Sequence, residues 1–250
     1  MSPLHAVAIL AAGMAAGTIN TVVGSGTLFT FPVLLGFGYP PVVANVSNTL
    51  GLIPAGVTGA IGYRRELTGQ RTRTMTLAVA SVSGGTAGAV LLLSLPPAAF
   101  KAIVPVFIAV ALLLIIFQRP LAARLAARRV AGGARPGPAT ILGVFVGGIY
   151  GGYFGAAQGI LVLSILTLGL EDELQRLNAL KIVLTLLANL VSGVVFVFVA
   201  HIAWAAAGLI AAGSLVGGVI GARAGRRLSP AVLRAVIIVV GIAAIIQLLP

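Results

Sequence analysis

The chain has 250 residues, of which 59% are hydrophobic and only 8% are charged, and its formal net charge is +12. Its mean hydropathy of +1.15 excludes a water-soluble domain and predicts an integral membrane protein made of one helix bundle. The basic residues lie in short loops between apolar spans, with no groove lined by aromatic residues among them, which argues against nucleic-acid binding. The absence of cysteine excludes disulfides and thiolate metal sites.

Apolar stretches of about 20 residues, the length needed to cross a bilayer, recur along the chain. The N-terminal stretch has no basic region ahead of it and predicts a retained membrane helix, not a cleaved signal peptide. Full spans are predicted at residues 4–22, 42–62, 74–94, 98–117, 174–200, 203–222 and 230–249. Short or Gly-broken helices are predicted at 28–38, 139–154 and 158–170. We therefore predict an all-α protein.

A duplication is visible when the chain is shifted by 133 residues. The shift matches Gly36 with Gly169, Asn45 with Asn178, Gly84 with Gly217, Gly88 with Gly221, and Pro97 with Pro230. Each copy begins with a Gly-broken or re-entrant helix pair and continues with three full spans. We predict a polytopic transmembrane bundle of two repeats, residues 1–118 and 139–250, joined by a basic cytoplasmic linker at 119–138.

The loops matched by this shift carry opposite charge patterns. Arginines are concentrated in the loops at 64–73, 119–135 and 223–227, whereas the turns around Leu95 and His201 carry no Lys or Arg. Because cytoplasmic loops are enriched in Lys and Arg, the arginine-rich loops are predicted to lie inside and the others outside. The repeats are therefore predicted to be inverted, with both termini outside. The acidic loop at 171–173 falls on the predicted inner side, against this pattern.

The Gly-broken pairs predict an anion site near the middle of the membrane. Irregular backbone at that depth must be buried in protein or line a cavity, and each break presents a helix N-terminus with free N–H groups. The alternative is that small residues four apart merely let helices pack closely, which we favour for Gly13/Gly17, Gly84/Gly88 and Gly217/Gly221. The binding residues predicted at the breaks are Asn20, Gly24, Ser25, Gly26, Thr27, Gln158 and Gly159.

A polar stripe on the 174–200 span predicts the rest of the site. Asn178, Lys181, Thr185, Asn189 and Ser192 recur every three or four residues and so share one helix face. A cation near mid-depth costs about 2.5 to 3.5 kcal/mol, and all four acids lie in predicted loops, so an anionic ligand is the natural partner of Lys181. The alternative is that Lys181 snorkels to the inner surface or bonds backbone carbonyls. The binding residues predicted here and on the matched span are Asn45, Asn48, Asn178, Lys181 and Thr185.

Residues 19–67, INTVVGSGTLFTFPVLLGFGYPPVVANVSNTLGLIPAGVTGAIGYRREL, resemble the first-repeat signature of the TauE/SafE family of sulfite exporters, the toluene sulfonate uptake permeases. The shared features, in family order, are Phe31-Pro32, Gly38 with Pro40-Pro41, Ala44-Asn45-x-x-Asn48-Thr49 and Tyr63-Arg64-Arg65. The resemblance covers nearly the whole chain, and it implies a permease for sulfite, organosulfonates or related anions that binds around both Gly-rich turns. Where the commoner pattern has three consecutive glycines, this chain has Gly24-Ser25-Gly26 and Ala156-Ala157-Gln158-Gly159.

We therefore predict a secondary carrier for small sulfur-containing anions, working by alternating access in a bacterial plasma (inner) membrane. Its predicted partners are the anion and the lipid bilayer, with no cofactor. Proton coupling would have to use the substrate, Lys181 or water, and sodium coupling or uncoupled transport are alternatives. An anion channel and a carrier for non-sulfur organic anions are alternative functions. An intramembrane serine protease is disfavoured, because no histidine is expected at the depth of Ser25 and no HExxH motif is present.

Overall fold

The computed structural model describes residues 2–117 and 135–224, together with 238, 239 and 242. Within these residues every regular element is an α-helix, as predicted. The nine helices whose bounds the structure describes are α1 (Pro3–Val22), α2 (Thr27–Gly36), α3 (Pro41–Gly62), α4 (Arg71–Ser94), α5 (Pro97–Ile116), α6 (Pro138–Tyr153), α7 (Gln158–Gly169), α8 (Leu174–Val199) and α9 (Trp204–Ala224). Most of the predicted helix at 230–249 and most of the predicted linker at 119–138 lie outside the described residues.

Five of the described helices are long and apolar enough to cross a membrane, namely α1, α4, α5, α8 and α9. The predicted span at 42–62 is observed as α3, which has 22 residues but is not one of these five. Its hydropathy is diluted by polar side chains, including Asn45, Ser47, Asn48 and Thr49, all of which are buried. Helix α3 is therefore covered mainly by protein and not by lipid.

The first Gly-broken pair is re-entrant. Helix α2 has 10 residues and rises about 15 Å, half the roughly 30 Å of a hydrocarbon core. At its start, a Cβ built on Gly26 would lie 2.6 Å from the Ala16 carbonyl oxygen, in the second half of α1. Just beyond its end, the Phe37 ring stacks on His5, in the first turn of α1, with the ring centroids 4.3 Å apart. Helix α2 thus doubles back beside α1.

The second pair repeats this shape with a different offset. Helices α1 and α6 are both followed by a glycine with positive φ, Gly24 at 85° and Gly155 at 76°. Each donates its N–H five residues back, to Ile19 at 3.1 Å and to Tyr150 at 3.0 Å. These positions are 131 residues apart. Helix α7, with 12 residues, is two residues longer than α2, so the 133-residue offset holds only from the end of the short helices onward.

Each half packs its first helix on a helix of the other half. Helix α1 packs on α9 of the other half, α6 packs on α4 in return, and α3 and α8 pack on each other between these pairs. A Cβ on Gly17 would lie 2.7 Å from Ser214 Cα, and one on the matching Gly148 would lie 2.8 Å from the Ser81 carbonyl oxygen. The Ser214 hydroxyl donates to the Gly51 carbonyl of α3 at 2.6 Å, and Ser81 donates equivalently to α8 at 2.7 Å. Such reciprocity is typical of units related by a two-fold rotation.

The loops gather at two ends of the bundle. Two cavities of about 510 and 760 Å³ contain the arginines of the α3–α4 loop, of the start of α6 and of the end of α9. We call this the basic end; its cavities are lined by Arg64, Arg65, Arg73, Arg135, Arg176 and Arg223. The opposite end has a cavity of about 490 Å³ lined by Pro40, Pro97 and His201, among others. The described loops predicted to share a membrane side therefore share an end of the bundle.

Replacing Gly17 with alanine is expected to destabilise the protein, because overpacking the α1–α9 crossing costs about 1 to 3 kcal/mol. Gly208→Ala on α9 is the matched control, since a Cβ there has no atom within 4 Å and alanine suits a helix better than glycine. The measurement is the thermal unfolding midpoint in detergent. Equal midpoints for the two variants would contradict the helix crossing described above.

Candidate functional site

The two breaks cross at the centre of the bundle. The Gly159 N–H donates to the Gly24 carbonyl oxygen at 3.0 Å, and a Cβ on Gly24 would lie 2.6 Å from Gly159 Cα. Backbones can approach this closely only where neither residue has a side chain, and Gly24 also needs its positive φ. From this crossing α2 runs to the opposite end and α7 to the basic end. The N-termini of the two short helices therefore meet in the middle.

The two meeting N-termini differ in their free hydrogen-bond donors. In the described hydrogen bonds, the N–H groups of Gly26 and Thr27 at the start of α2 have no acceptor. At the start of α7 the Ala157 N–H likewise has no described acceptor, but Gln158 N–H donates to Gly155 and Gly159 N–H donates to Gly24. Free N–H groups at a helix N-terminus favour a negative charge, so the start of α2, where the first helical N–H is also free, offers an anion more donors than the start of α7.

Lys181 places a cation beside this crossing. Its side chain is only 1% exposed, and a Cβ on Gly159 would lie 3.1 Å from Lys181 Cδ. Such burial does not fit the alternative in which Lys181 snorkels to the surface. All four carboxylates of the chain are in described loops, and the described ion pairs join Asp172 to arginines, not to Lys181. The chain therefore supplies no carboxylate counter-ion within the membrane helices.

Two buried hydroxyls near the breaks have no hydrogen-bond partner among the described residues. They belong to Ser25, in the turn before α2, and Tyr153, the last residue of α6. The Asn45 side-chain oxygen is a third such atom. A buried polar group without a partner costs free energy, so each such group in a folded protein needs an explanation. The two hydroxyls are donors that a bound anion can use.

Two predicted binding residues on α3 hold the broken helices in place. The Asn45 amide donates to the Tyr153 carbonyl at 3.0 Å, which ties α3 to the end of α6. The Asn48 amide donates to the Thr27 hydroxyl at 3.2 Å and its oxygen accepts from Thr30, which ties α3 to α2. Position 48 matches position 181 in the duplication. Each of these residues contacts the start of the short helix in its own half, but only the second half carries a charge.

Several other predicted residues donate to backbone carbonyls outside the crossing. The Gln158 amide donates to the Gly147 carbonyl at 3.2 Å, and the Thr185 hydroxyl donates to the carbonyls of Lys181 and Ile182. Ser192, at the end of the polar stripe, donates to the Gly85 carbonyl of α4 at 3.1 Å. Asn20 lies beside Gly26, and Asn178 is buried one turn before Lys181. The residues that the structure brings together, which we call the central site, are Gly24, Ser25, Gly26, Thr27, Gly159 and Lys181.

An aromatic cluster that the sequence analysis did not identify covers the central site towards the opposite end. Phe31 contacts Phe154 edge to face with centroids 5.2 Å apart, and Tyr153 contacts Phe100 and Phe107, each at 5.7 Å. The signal available in the sequence was the aromatic pair directly after Gly151-Gly152. The cluster joins α2, α5 and the end of α6, so it closes one side of the site.

A bundle of apolar helices with two broken helices meeting at a buried cation has the features of a membrane transporter. The family described as "Sulfite exporter TauE/SafE" matches residues 9–248. The chain therefore belongs to the TauE/SafE sulfite exporter family. It is a multi-pass membrane transporter and not an enzyme.

Curated relatives are bacterial and of similar length. The chain is 27% identical over 215 residues to a "Probable membrane transporter protein" of Haemophilus influenzae, covering 84% of this chain and 81% of the relative. It is 28% identical over 249 residues to "Probable membrane transporter protein ORF9" of a Sinorhizobium species, covering 98% and 93%. It is 26% identical over 230 residues to "Probable membrane transporter protein YfcA" of Escherichia coli, covering 91% and 82%. No solved structure gives a significant match.

Removing the Ser25 hydroxyl is expected to leave the anion-free protein as stable as wild type, or more stable, because that buried group has no described partner. Ser214→Ala is the matched control, since its hydroxyl donates to Gly51 and its loss costs about 1 kcal/mol. Thermal unfolding in detergent without added anions compares the two variants. A lower midpoint for Ser25→Ala than for Ser214→Ala would show that Ser25 already has a partner.

Proposed function

We propose that this protein is a secondary carrier that moves small sulfur-containing anions, such as sulfite or organosulfonates, by alternating access around the central site. The observation that carries the proposal is Lys181, a buried cation beside the crossing of two broken helices with no described carboxylate partner. The family description supports the substrate class, because it names sulfite.

The proposed binding mode uses hydrogen-bond donors only. The Gly26 and Thr27 N–H groups, the Ser25 hydroxyl and the Lys181 ammonium group surround the crossing. A sulfur oxyanion has several oxygens that accept hydrogen bonds from different directions, and hydrogen bonds between charged partners are the strongest in proteins. Because no carboxylate competes for Lys181, the transported anion becomes its counter-ion. An organic carboxylate of similar size is the competing substrate class.

In the proposed transport cycle, the central site opens alternately to the two ends of the bundle. Its support is the reciprocal packing of the halves and the opposite directions of α2 and α7, which fit repeats inverted in the membrane. The concentration of arginines at the basic end supports a cytoplasmic position for that end in a bacterial plasma membrane. No acid lies within the described membrane helices, so a coupled proton would travel with the substrate, Lys181 or water, and sodium would need backbone carbonyls.

Replacing Lys181 with alanine is expected to weaken anion binding by about 10- to 100-fold, because a hydrogen bond to a charged group contributes about 1.5 to 3 kcal/mol. The measurement is sulfite and sulfonate uptake, with counterflow, in proteoliposomes. Lys101→Ala is the matched control: it removes a lysine that lines the cavity at the opposite end and should leave uptake unchanged.

Three outcomes would contradict parts of this proposal. Uptake by Lys181→Ala at the wild-type rate would show that Lys181 is not the counter-ion of the transported anion. Thermal stabilisation of the purified protein by carboxylates alone, in a screen with sulfite, sulfonates, sulfate and thiosulfate, would exclude the sulfur class. Single-channel currents without counterflow would favour a channel over a carrier.

The proposed orientation is testable because the chain contains no cysteine. Single cysteines at Arg71, at the start of α4, and at His201, in the turn before α9, are expected to react with a membrane-impermeant maleimide from opposite sides, with Arg71→Cys labelled from the cytoplasm. Intact cells and inside-out vesicles give the two sides. Labelling of both residues from one side would contradict the orientation of the bundle.

A further inference from the structure

A polar cluster ties the two halves together at the basic end. Asp172, in the turn between α7 and α8, pairs with Arg73 on α4 of the first half, and Arg176 Nε lies 3.0 Å from the same carboxylate. Arg176 also donates to the Thr68 carbonyl, in the α3–α4 loop, at 3.1 Å. One carboxylate therefore connects α4 of one half to α8 of the other.

Gln70 completes the cluster from within. Its side chain is buried, its oxygen accepts from Arg73 Nε at 2.9 Å, and its amide donates to the Arg176 carbonyl at 3.2 Å. The same amide donates to the Glu66 carbonyl of its own loop at 2.5 Å. We call these four residues, Gln70, Arg73, Asp172 and Arg176, the basic-end clasp.

The clasp is attached to both helices that position Lys181. Arg176 precedes Lys181 by five residues on α8, which is about 7.5 Å along the helix. Asp172 follows α7, whose first turn contains Gly159, the glycine against which the Lys181 side chain lies. Asn178, between the clasp and Lys181, is buried. Along α8 the clasp therefore lies between the basic end and Lys181, whose side chain is buried.

Among the described residues, the positions that match the clasp carry no charge at the opposite end. In the duplication, Gln70, Arg73 and Asp172 correspond to Ala203, Ala206 and Tyr39. One described contact between the halves there is a hydrogen bond from the Ala203 N–H to the Ser47 hydroxyl at 3.0 Å. The two ends are therefore closed by different interactions, although their backbones are related by the duplication.

We propose that the basic-end clasp is a gate of the transport cycle: the Asp172 pairs hold the basic end closed over Lys181, and they must separate for the central site to open to that side. This gate rests on the proposed carrier function, and it assigns a role to four residues outside the central site. The 510 Å³ cavity beside the clasp, lined by Thr72, Arg135 and Glu171 among others, is the entrance on its outer side.

The gate responds to ion pairing and not to physiological changes of pH. Burial raises the pKa of Asp172, but hydrogen bonds from Arg73, Arg176 and the Glu173 N–H outweigh it and hold that pKa below its usual value. A carboxyl whose pKa is lower in the folded protein than in the unfolded chain stabilises the closed structure at every pH above the unfolded-chain value. This stabilisation is lost only as the pH falls through the lower pKa of the folded protein. The charged residues that line the same cavity as Asp172 are Arg73, Arg135, Glu171 and Arg176, and Glu173 is its neighbour in the chain.

Cysteine accessibility tests the gate directly. Asn178→Cys is the reporter, labelled by an impermeant maleimide from the basic end in inside-out vesicles. Breaking the clasp with Asp172→Asn, or with Gln70→Ala as a second variant, is expected to increase the labelling rate about tenfold, the ratio that corresponds to the loss of one hydrogen bond to a charged group. Glu171→Gln is the matched control, because it makes the same charge change at an exposed neighbour outside the described ion pairs.

A second reporter separates gate opening from general loosening. Leu92→Cys, buried on α4 near the opposite end, should stay unlabelled in all variants. Wild-type labelling of Asn178→Cys in both clasp variants, or an equal increase at Leu92→Cys, would overturn the gate. Labelling needs no substrate, so it tests the gate independently of the proposed carrier function. An unchanged reporter with intact sulfite uptake rejects the gate alone, and a fast reporter in a protein that transports no anion rejects the carrier function alone.

Discussion

A helix that breaks inside a bilayer leaves backbone N–H and C=O groups without water to bind them, and this constraint shapes the whole protein. The structure meets it by crossing the two breaks: the Gly24 carbonyl accepts from Gly159, and Asn45 donates to the freed carbonyl of Tyr153. A crossing of this kind needs both halves at once. The short re-entrant helices, the central position of the polar helix α3 and the exchange of helices between halves all serve to bury it.

The central site is chemically unequal although its scaffold is duplicated. Asn48 and Lys181 occupy matching positions. The Asn48 side chain donates to Thr27 and accepts from Thr30, which fixes the start of α2. Lys181 instead carries a charge, which costs about 2.5 to 3.5 kcal/mol at membrane depth. A second lysine at position 48 would repeat that cost and remove the support of α2. The matched positions therefore share their backbone geometry, and the difference between Asn48 and Lys181 gives the proposed binding site a single charged side chain.

The sequence was sufficient for the helices, whose described bounds differ from the predictions by three residues at most, because apolar length and turn residues are local signals. It was not sufficient for side-chain partners. Gln158 and Thr185 have polar groups at suitable positions but donate to nearby carbonyls, and the buried Tyr153 hydroxyl, which has no described partner, is not marked by any periodic signal. The acidic loop looked like an exception to the charge rule, because the pairing of Asp172 with Arg73 depends on a tertiary contact between positions 99 residues apart.

The different closures of the two ends bear on how the proposed carrier acquires a direction. Two inverted repeats with equal side chains would make the two access states equal in free energy, so any preference must come from residues that break the repeat. At the basic end the closure is an ion-pair cluster around Asp172, and towards the opposite end it is the aromatic cluster with the neutral Ser47–Ala203 hydrogen bond. Ion pairs weaken as salt screens them, whereas apolar contacts do not. In the proposed transport cycle, the balance between the two access states is thus a property of these few side chains and of the ionic conditions, and not of the fold.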